Sequence, residues 1–113
     1  VRDWYRLKAD SYFKLKIRDA AKRLPWMHEP PPLRLQEMKK QWGSCSASGQ
    51  IILNPHLIKA PRTCVEYVVI HELAHLRYHH HGSEFWKLLD VHIPGWRKAK
   101  KELDHLAELI LKD

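Results

Sequence analysis

Two histidines and a glutamate near the middle of the chain have the residue types and the spacing that bind and use a metal ion. They lie in the segment VVIHELAHLRYHHHGSEFW, residues 68–86. His71 and His75 are four residues apart, so on an α-helix they lie one above the other and can clamp one cation. Glu72 projects about 100° away around the helix, where it can act as a general base on a water held by the metal.

A catalytic zinc site uses three protein ligands and keeps a fourth position for water, so the pattern requires one further ligand. His81 is the first candidate, because Gly82 lets the chain turn and Ser83 can cap a new helix. That geometry aims His81 back at the first two histidines. The alternatives for the third ligand are Glu84, His79 and His80.

The offset between His75 and His81 is that of the metzincin pattern H-E-x-x-H-x-x-G-x-x-H. The rest of that pattern is missing, because Tyr78 stands at its glycine and no methionine follows the motif. Tyr78, His79 and His80 are candidates to stabilise the oxyanion that hydrolysis develops. For His79 and His80, a solvated loop is the simpler interpretation.

The metal-binding motif lies on a segment with the composition of a buried helix. Histidines on such a helix need partners, which a metal supplies. Thr63 and Glu66 fit the capping box S/T-x-x-E, so the helix is predicted from about Pro61 or Thr63 to about Tyr78. The apolar β-branched run comprises Val65, Val68, Val69 and Ile70.

The segments before this helix predict one long helix and a small sheet. Apolar residues at helical spacing predict an amphipathic helix over residues 3–24, which Pro25 ends. An extended connector over 26–32 and a short strand over 33–36 follow. The predicted apolar face of the helix comprises Trp4, Leu7, Tyr12, Phe13, Ile17, Ala20, Ala21 and Leu24.

The extended segments 40–46 and 50–54 flank Ala47-Ser48-Gly49 and predict a β-hairpin. Two more helices are predicted over 83–92 and 96–112. The last of them is expected to carry Leu103, Leu106, Leu109 and Ile110 on one face. The fold class is therefore α+β in a single domain: an N-terminal helix, a small, mainly antiparallel sheet, the HExxH helix and two C-terminal helices.

The hairpin is the predicted place for substrate, because zinc peptidases commonly hold substrate as an added strand along a sheet edge. Gly43 in mid-strand indicates a bulge or a close approach of another backbone. The candidate substrate-binding residues are Trp42, Gly43, Ser44, Cys45 and Asn54. A hairpin that merely covers the core is the alternative.

The net charge of +7 is concentrated in one segment. Residues 1–24 carry eight Lys or Arg against three Asp, which gives +5, and the rest of the chain supplies +2. A solvated helix face is the ordinary explanation, and nucleic-acid binding through the first helix is the alternative. Because the chain begins at Val1 within a helical pattern, a trimmed form of a longer protein is expected.

The cysteine content and the absence of long apolar runs favour a soluble protein of the cytoplasm. Cys45 and Cys64 lack the CxxC spacing and are too few for a disulfide scaffold, so reduced thiols are expected. No apolar run approaches the roughly 20 residues that span a bilayer, and no signal peptide is visible. No membrane partner is expected.

Two linked motifs give the chain a resemblance to a known family. MKKQWGSCSASGQIILNPHLIKAP, followed by EYVVIHELAHLRYHHHGSEFW, resembles the YgjP-like family of metal-dependent hydrolases. These are distant relatives of the SprT-like and minimal gluzincin-type zinc peptidases. The resemblance extends from Trp4 to about Leu103 and implies a zincin-like fold. It also implies that His71, His75 and His81 bind the metal, that Glu72 is the general base, and that residues 42–45 lie beside the cleft.

The function that the residues and the resemblance imply is zinc-dependent peptide hydrolysis. Nickel or another divalent ion can replace Zn²⁺ in the purified protein. One rival is a metal-dependent nucleoside triphosphate (UTP) pyrophosphatase, an activity attributed to some of the family, with Lys39, Lys40 and Arg77 holding the phosphates. A basic module associated with nucleic acid, without catalysis, is the other rival.

Overall fold

The structure is a computed structural model that describes residues 2–111, apart from the side chains of Arg2, Asp3 and Tyr5. Within these residues, no helix combines the length and the apolar character needed to cross a membrane. The elements in chain order are α1 Arg2–Arg23, β1 Leu33–Leu35, β2 Gly43–Cys45, β3 Ile51–Leu53, a 3₁₀-helix Pro55–Lys59, α2 Arg62–Arg77, α3 Ser83–His92, α4 Trp96–Leu106 and a π-helical turn Ala107–Leu111.

Helix α1 forms one wall of the core and ends two residues before Pro25, as predicted. Trp4 and Leu7 were expected on its buried face but are 54% and 70% exposed. Both precede Ala9, the first described residue of the helix that is buried. The buried residues of α1 are Ala9, Phe13, Lys16, Ile17, Ala20 and Ala21, and Leu24 follows them after the helix ends.

The basic surface of α1 is not entirely solvated. Lys16 is buried and donates a hydrogen bond from its Nζ to Glu66 Oε2 at 3.2 Å. Glu66 also lies 3.5 Å from the Arg62 guanidinium. A charge removed from water needs such a partner. One predicted surface cation therefore joins α1 to α2.

The sheet has the order β1-β3-β2 and mixed pairing. Strands β2 and β3 form the predicted antiparallel hairpin, and the turn between them has Gly49 at φ 91°, a conformation that favours glycine. Strand β1 pairs parallel to β3, where a mainly antiparallel sheet was expected. The alternation of apolar and polar residues sets which face of a strand is buried but does not set the direction of its pairing.

Helix α2 runs through the core and starts where predicted, but its N-terminal cap differs from the prediction. Pro61 is its N-cap, and no side chain forms a capping hydrogen bond there. The prediction of a capping box formed by Thr63 and Glu66 is therefore wrong. The helix begins at Arg62, which places Thr63 inside the first turn, and the Glu66 carboxylate is taken by Lys16. The end at Arg77 agrees with the prediction.

The C-terminal helices follow the predicted boundaries, with two local corrections. Gly82, not Ser83, occupies the N-cap of α3. After Leu106 the chain continues as a π-helical turn, which rotates the following side chains relative to an α-helix. Leu109, predicted to be buried, is therefore 68% exposed, whereas Leu111 is 7% exposed. The predicted helix ended at Lys112, which lies outside the described residues.

Strand β2 packs directly on α2 at Gly43, where the three nearest atoms belong to side chains and not to another backbone as predicted. A Cβ at Gly43 would lie 2.9 Å from Val68 Cγ1, 3.1 Å from Leu53 Cδ2 and 3.3 Å from Glu72 Cγ. No bulge is needed for this contact, because Gly43 pairs in register with Leu53. The missing side chain thus lets the sheet reach the metal-binding helix.

We expect Gly43→Ala to lower the free energy of unfolding by about 1–3 kcal/mol, the usual cost of adding a methyl group to a well-packed core. Val68 is 4% exposed and short, so it cannot swing aside. The matched control is Gly95→Ala, because a Cβ there meets nothing within 4 Å. Urea unfolding of both variants checks this, and equal stabilities would contradict the close packing.

Candidate metal centre and active-site cleft

Three histidines converge at the C-terminal half of α2. His71 and His75, one turn apart on α2, have ring centroids 4.8 Å from each other. His81, in the segment between α2 and α3, has its ring centroid 5.3 Å from that of His71 and 4.7 Å from that of His75. One potential ligand atom from each of the three lies within 4.8 Å of the other two.

The geometry of this group suits a tetrahedral metal ion. Two nitrogens bound to zinc at about 2.0–2.1 Å lie roughly 3.4 Å apart in a tetrahedral site. His75 Nε2 and His81 Nε2 are 2.9 Å apart, and the widest separation in the group stays within 4.8 Å. These separations bracket the tetrahedral value, and imidazole is a preferred ligand of zinc.

A buried aromatic ring closes the inner side of the group. Phe85, on α3, is fully buried and its ring centroid lies 5.2, 4.8 and 4.8 Å from those of His71, His75 and His81. This apolar contact limits the room in which the histidine rings can turn. It also keeps water from that side of the site.

Glu72 is buried beside the first histidine, with 6% of its surface exposed. Its Oε2 lies 3.1 Å from His71 Nδ1. A carboxylate accepts hydrogen bonds, so His71 Nδ1 is the donor. In the neutral tautomer that donates from Nδ1, the Nε2 atom carries no proton and can bind a cation.

The environment favours neutral rings at His75 and His81. Burial is the main cause that lowers the pKa of His75, and the neighbouring His71 and His81 lower it further, partly offset by Glu72 and a backbone hydrogen bond of Tyr78. Burial and His71 likewise lower the pKa of His81, again partly offset by Glu72. A neutral imidazole is the form that binds metal, so both rings are suited to that role near pH 7.

The three histidines and Glu72 line a cleft of about 680 Å³. Its opposite wall is β2 with the turn that follows it, residues 43–49, and the cleft is completed by Gln41, Leu76 and His79. Strand β2 is an edge strand of the described sheet, paired only with β3. The cleft thus lies between a sheet edge and the candidate metal centre.

A smaller cavity of about 180 Å³ adjoins the cleft at Glu72. The two share Gln41, Gly43, His71 and Glu72. The walls of the smaller cavity are mostly apolar or aromatic, and an ion pair at its α4 side joins Lys100 Nζ to Asp104 Oδ2 at 3.1 Å. The remaining lining residues are Trp42, Tyr67, Val68 and Leu103.

Four of the five predicted substrate-binding residues line a cavity that Glu72 also lines, and one does not. Gly43, Ser44 and Cys45 line the main cleft, whereas Trp42 lines the smaller cavity and donates its indole N–H to the Leu103 carbonyl at 3.2 Å. Asn54 requires a correction, because it is fully buried and outside both linings.

The polar atoms of Asn54 are used within the fold. Its Nδ2 donates to the carbonyls of Met38 and Gln41 at 2.9 and 3.1 Å, and its Oδ1 accepts from the backbone N–H of His56 at 3.0 Å. Asn54 thereby fixes the segment before β2 and caps the 3₁₀-helix. The predicted contact with substrate is wrong for this residue.

The remaining candidates are the alternative metal ligands, the possible oxyanion contacts and the possible phosphate-binding residues. Among the described residues, the group that can hold a metal contains His81 and none of the alternatives Glu84, His79 and His80. His79 lines the cleft, while Tyr78 and His80 are outside its lining. Neither cavity is lined by the candidate phosphate-binding residues Lys39, Lys40 and Arg77.

Three aromatic residues near the site were not singled out from the sequence: Tyr67, Phe85 and Trp86. Phe85 and Trp86 directly follow the third histidine in the run HGSEFW, and that proximity was the available signal. Tyr67 precedes His71 by one helical turn, and its ring centroid lies 5.6 Å from that of His71. The i to i+4 spacing could have revealed this contact.

Comparison with known proteins identifies the family. A model of the YgjP-like metallopeptidase domain matches residues 1–106. The chain belongs to the YgjP-like family. Among curated proteins, none matches this YgjP-like chain.

Two solved structures share the fold of this YgjP-like domain. The metallopeptidase zymogen of Pyrococcus abyssi abylysin superposes with a TM-score of 0.66 at 25% identity, over 93% of this chain and 97% of that one. The metallopeptidase zymogen of Methanocaldococcus jannaschii jannalysin superposes with a TM-score of 0.69 at 22% identity, over 87% of this chain and 97% of that one. The predicted zincin-like α+β fold is confirmed, and a metal-dependent hydrolase of the metallopeptidase type is supported.

The hydroxyl of Tyr67 provides a test of the electrostatics beside Glu72. Burial, together with the carboxylates of Asp104 and Glu72, raises the pKa of Tyr67 from 10.0 to about 12. A group whose pKa rises on folding stabilises the protein fully below its unfolded pKa, and this contribution is lost as the pH rises from 10 toward 12.

The wild-type protein should therefore lose stability relative to Tyr67→Phe as the pH increases above about 10. Urea unfolding of both proteins at several values between about pH 8 and pH 11 measures the difference. Taking the difference cancels the titration of groups that both proteins share. A difference that stays constant over this range would contradict the raised pKa.

Proposed function

We propose that residues 1–113 form a single domain that hydrolyses peptide bonds with a zinc ion held by His71, His75 and His81. The observation that carries this proposal is the convergence of three imidazoles beside a buried glutamate in a cleft bordered by an edge strand. Membership of the YgjP-like metallopeptidase family supports the same activity.

Zinc at this position would acidify a water molecule and polarise the carbonyl of the substrate. Glu72 is the proposed general base: its carboxylate would take one proton of that water as the water oxygen adds to the substrate carbonyl carbon. It would return the proton to the amide nitrogen as the C–N bond breaks. Its burial and its bond to His71 hold the carboxylate next to the metal ligands, where such a transfer can occur.

The substrate is proposed to bind as an extended strand along β2. The outer edge of a sheet offers main-chain donors and acceptors to a peptide. Gly43 keeps this edge close to Glu72, and residues 43–49 line the cleft without interruption. A peptide on this edge passes Glu72 with one part in the main cleft and the other toward the smaller cavity.

His79 is the proposed contact for the developing oxyanion, because it lines the cleft with the three proposed ligands. The lining of the cleft also favours a peptide over a nucleotide. Among the described residues it contains no Lys or Arg, which a triphosphate would require. Lys100 lines only the smaller cavity and is paired with Asp104.

We expect Glu72→Gln to keep zinc and to lose about 10²- to 10⁴-fold in kcat on casein, the usual contribution of a general base. The amide has nearly the same shape but cannot take a proton. Glu108→Gln, at an exposed position on the π-helical turn, is the matched control. Zinc content by elemental analysis is measured beside activity, and a fully active, zinc-loaded Glu72→Gln protein would overturn the assignment.

A phosphate-release assay with UTP runs in parallel with the casein assay. Turnover of UTP that depends on Glu72, without digestion of casein or peptides, would replace the peptidase proposal with the pyrophosphatase alternative. DNA affinity that falls steeply with salt and is unchanged in Glu72→Gln, with neither hydrolytic activity, would favour the nucleic-acid module.

The metal assignment predicts that His71→Ala, His75→Ala and His81→Ala each weaken zinc binding by more than about 100-fold. That loss exceeds the 10- to 100-fold effect usual for residues outside the coordination shell. His105→Ala is the control, because His105 is exposed on α4. Competition with chelators of graded affinity measures the loss, and a His81→Ala protein with unchanged affinity would exclude His81 as a ligand.

A further inference from the structure

The three proposed ligands are held in different ways. His71 and His75 are fixed by the backbone of α2, whose buried face is packed in the core. His81 is exposed and lies in the short segment between α2 and α3. Its backbone is therefore not held by the hydrogen-bond pattern of a helix. A ligand on such a segment binds metal tightly only if other contacts hold it in place.

Trp86 makes two of these contacts with His81. Its indole Nε1–H donates a hydrogen bond to the His81 carbonyl at 3.0 Å. The Trp86 ring also packs against the His81 imidazole, with centroids 5.3 Å apart. Trp86 therefore contacts both the backbone and the ring of the proposed third ligand.

Trp86 is itself held by a stack of aromatic rings. It stacks on Trp96 of α4 with centroids 4.6 Å apart and planes at 21°. Trp96 donates its indole N–H to Asp90 Oδ1 at 2.8 Å, and it stacks at 6.5 Å on Tyr67, which in turn contacts His71. The stack thus joins α2, α3 and α4. It contacts two of the three proposed ligands, His71 through Tyr67 and His81 through Trp86.

We infer that Trp86 is a positioning residue, whose indole N–H holds His81 in the orientation that completes the metal site. This inference rests on the proposed zinc site and assigns a role to a residue that would not touch the metal. The contribution of Trp86 should appear as zinc affinity and should depend on the presence of the His81 imidazole.

The test is a double-mutant cycle on zinc affinity in the full chain. Trp86→Phe keeps an aromatic ring for the stack but removes the indole N–H. We expect it to weaken zinc binding by about 10-fold, as is usual for partners outside the coordination shell. In the His81→Ala background the same change should alter affinity by less than about 2-fold, because the positioned ligand is then absent.

Trp26→Phe is the matched control, since the Trp26 ring lies 6.0 Å from the Arg77 guanidinium and lines neither of the two cavities beside Glu72. It should alter zinc affinity by less than about 2-fold. Zinc competition gives the affinities, and urea unfolding of the metal-free proteins shows whether each variant is folded.

Two results would overturn the inference. An unchanged zinc affinity in Trp86→Phe is the first, and an equal loss in the presence and absence of the His81 imidazole is the second, since that loss would reflect general destabilisation. Failure of the wild-type protein to bind zinc would instead overturn the proposed function and this inference together. A normal wild-type affinity with an unaffected Trp86→Phe would overturn the inference alone.

Discussion

The close packing of β2 on α2 at Gly43 is the constraint on which the candidate site depends. Any side chain at this position would collide with Val68 or approach Glu72. Because the contact is that close, a sheet edge, a buried carboxylate and two helical histidines come within one cleft. The core beneath supports the arrangement, since Ile51, Leu53 and Ile70 are fully buried around it.

Much of the fold could be predicted because local patterns set it. Helical spacing, Pro25, the turn at Gly49 and the segment around Gly82 mark the boundaries of elements with little help from the rest of the chain. The parallel pairing of β1 with β3 could not be obtained this way, because it joins residues far apart in sequence. The capping box failed because Lys16, 50 residues from Glu66, takes the carboxylate that the motif would need.

The candidate site shows the same division. The spacing of His71 and His75 fixes their geometry on any helix, so the sequence was sufficient for that pair. The position of His81 depends on how α3 packs, and the structure now places it within reach of the other two. Asn54 was misassigned because the sequence does not distinguish an asparagine that contacts substrate from one that hydrogen-bonds to the backbone inside the fold. Trp86 was overlooked for a related reason, since its partner is a main-chain carbonyl.

The salt bridge between Lys16 and Glu66 has a consequence for how the chain can be shortened. It joins the amino-terminal helix to the helix that bears the HExxH motif, and Phe13, Ile17 and Leu24 bury their side chains on the same side. Each such side chain contributes about 1.5–3 kcal/mol when it leaves water. A version that starts at β1 would expose to water the apolar surface of α2 that α1 covers, and Glu66 would keep Arg62 as its charged partner. Removal of α1 is therefore expected to destabilise the fold.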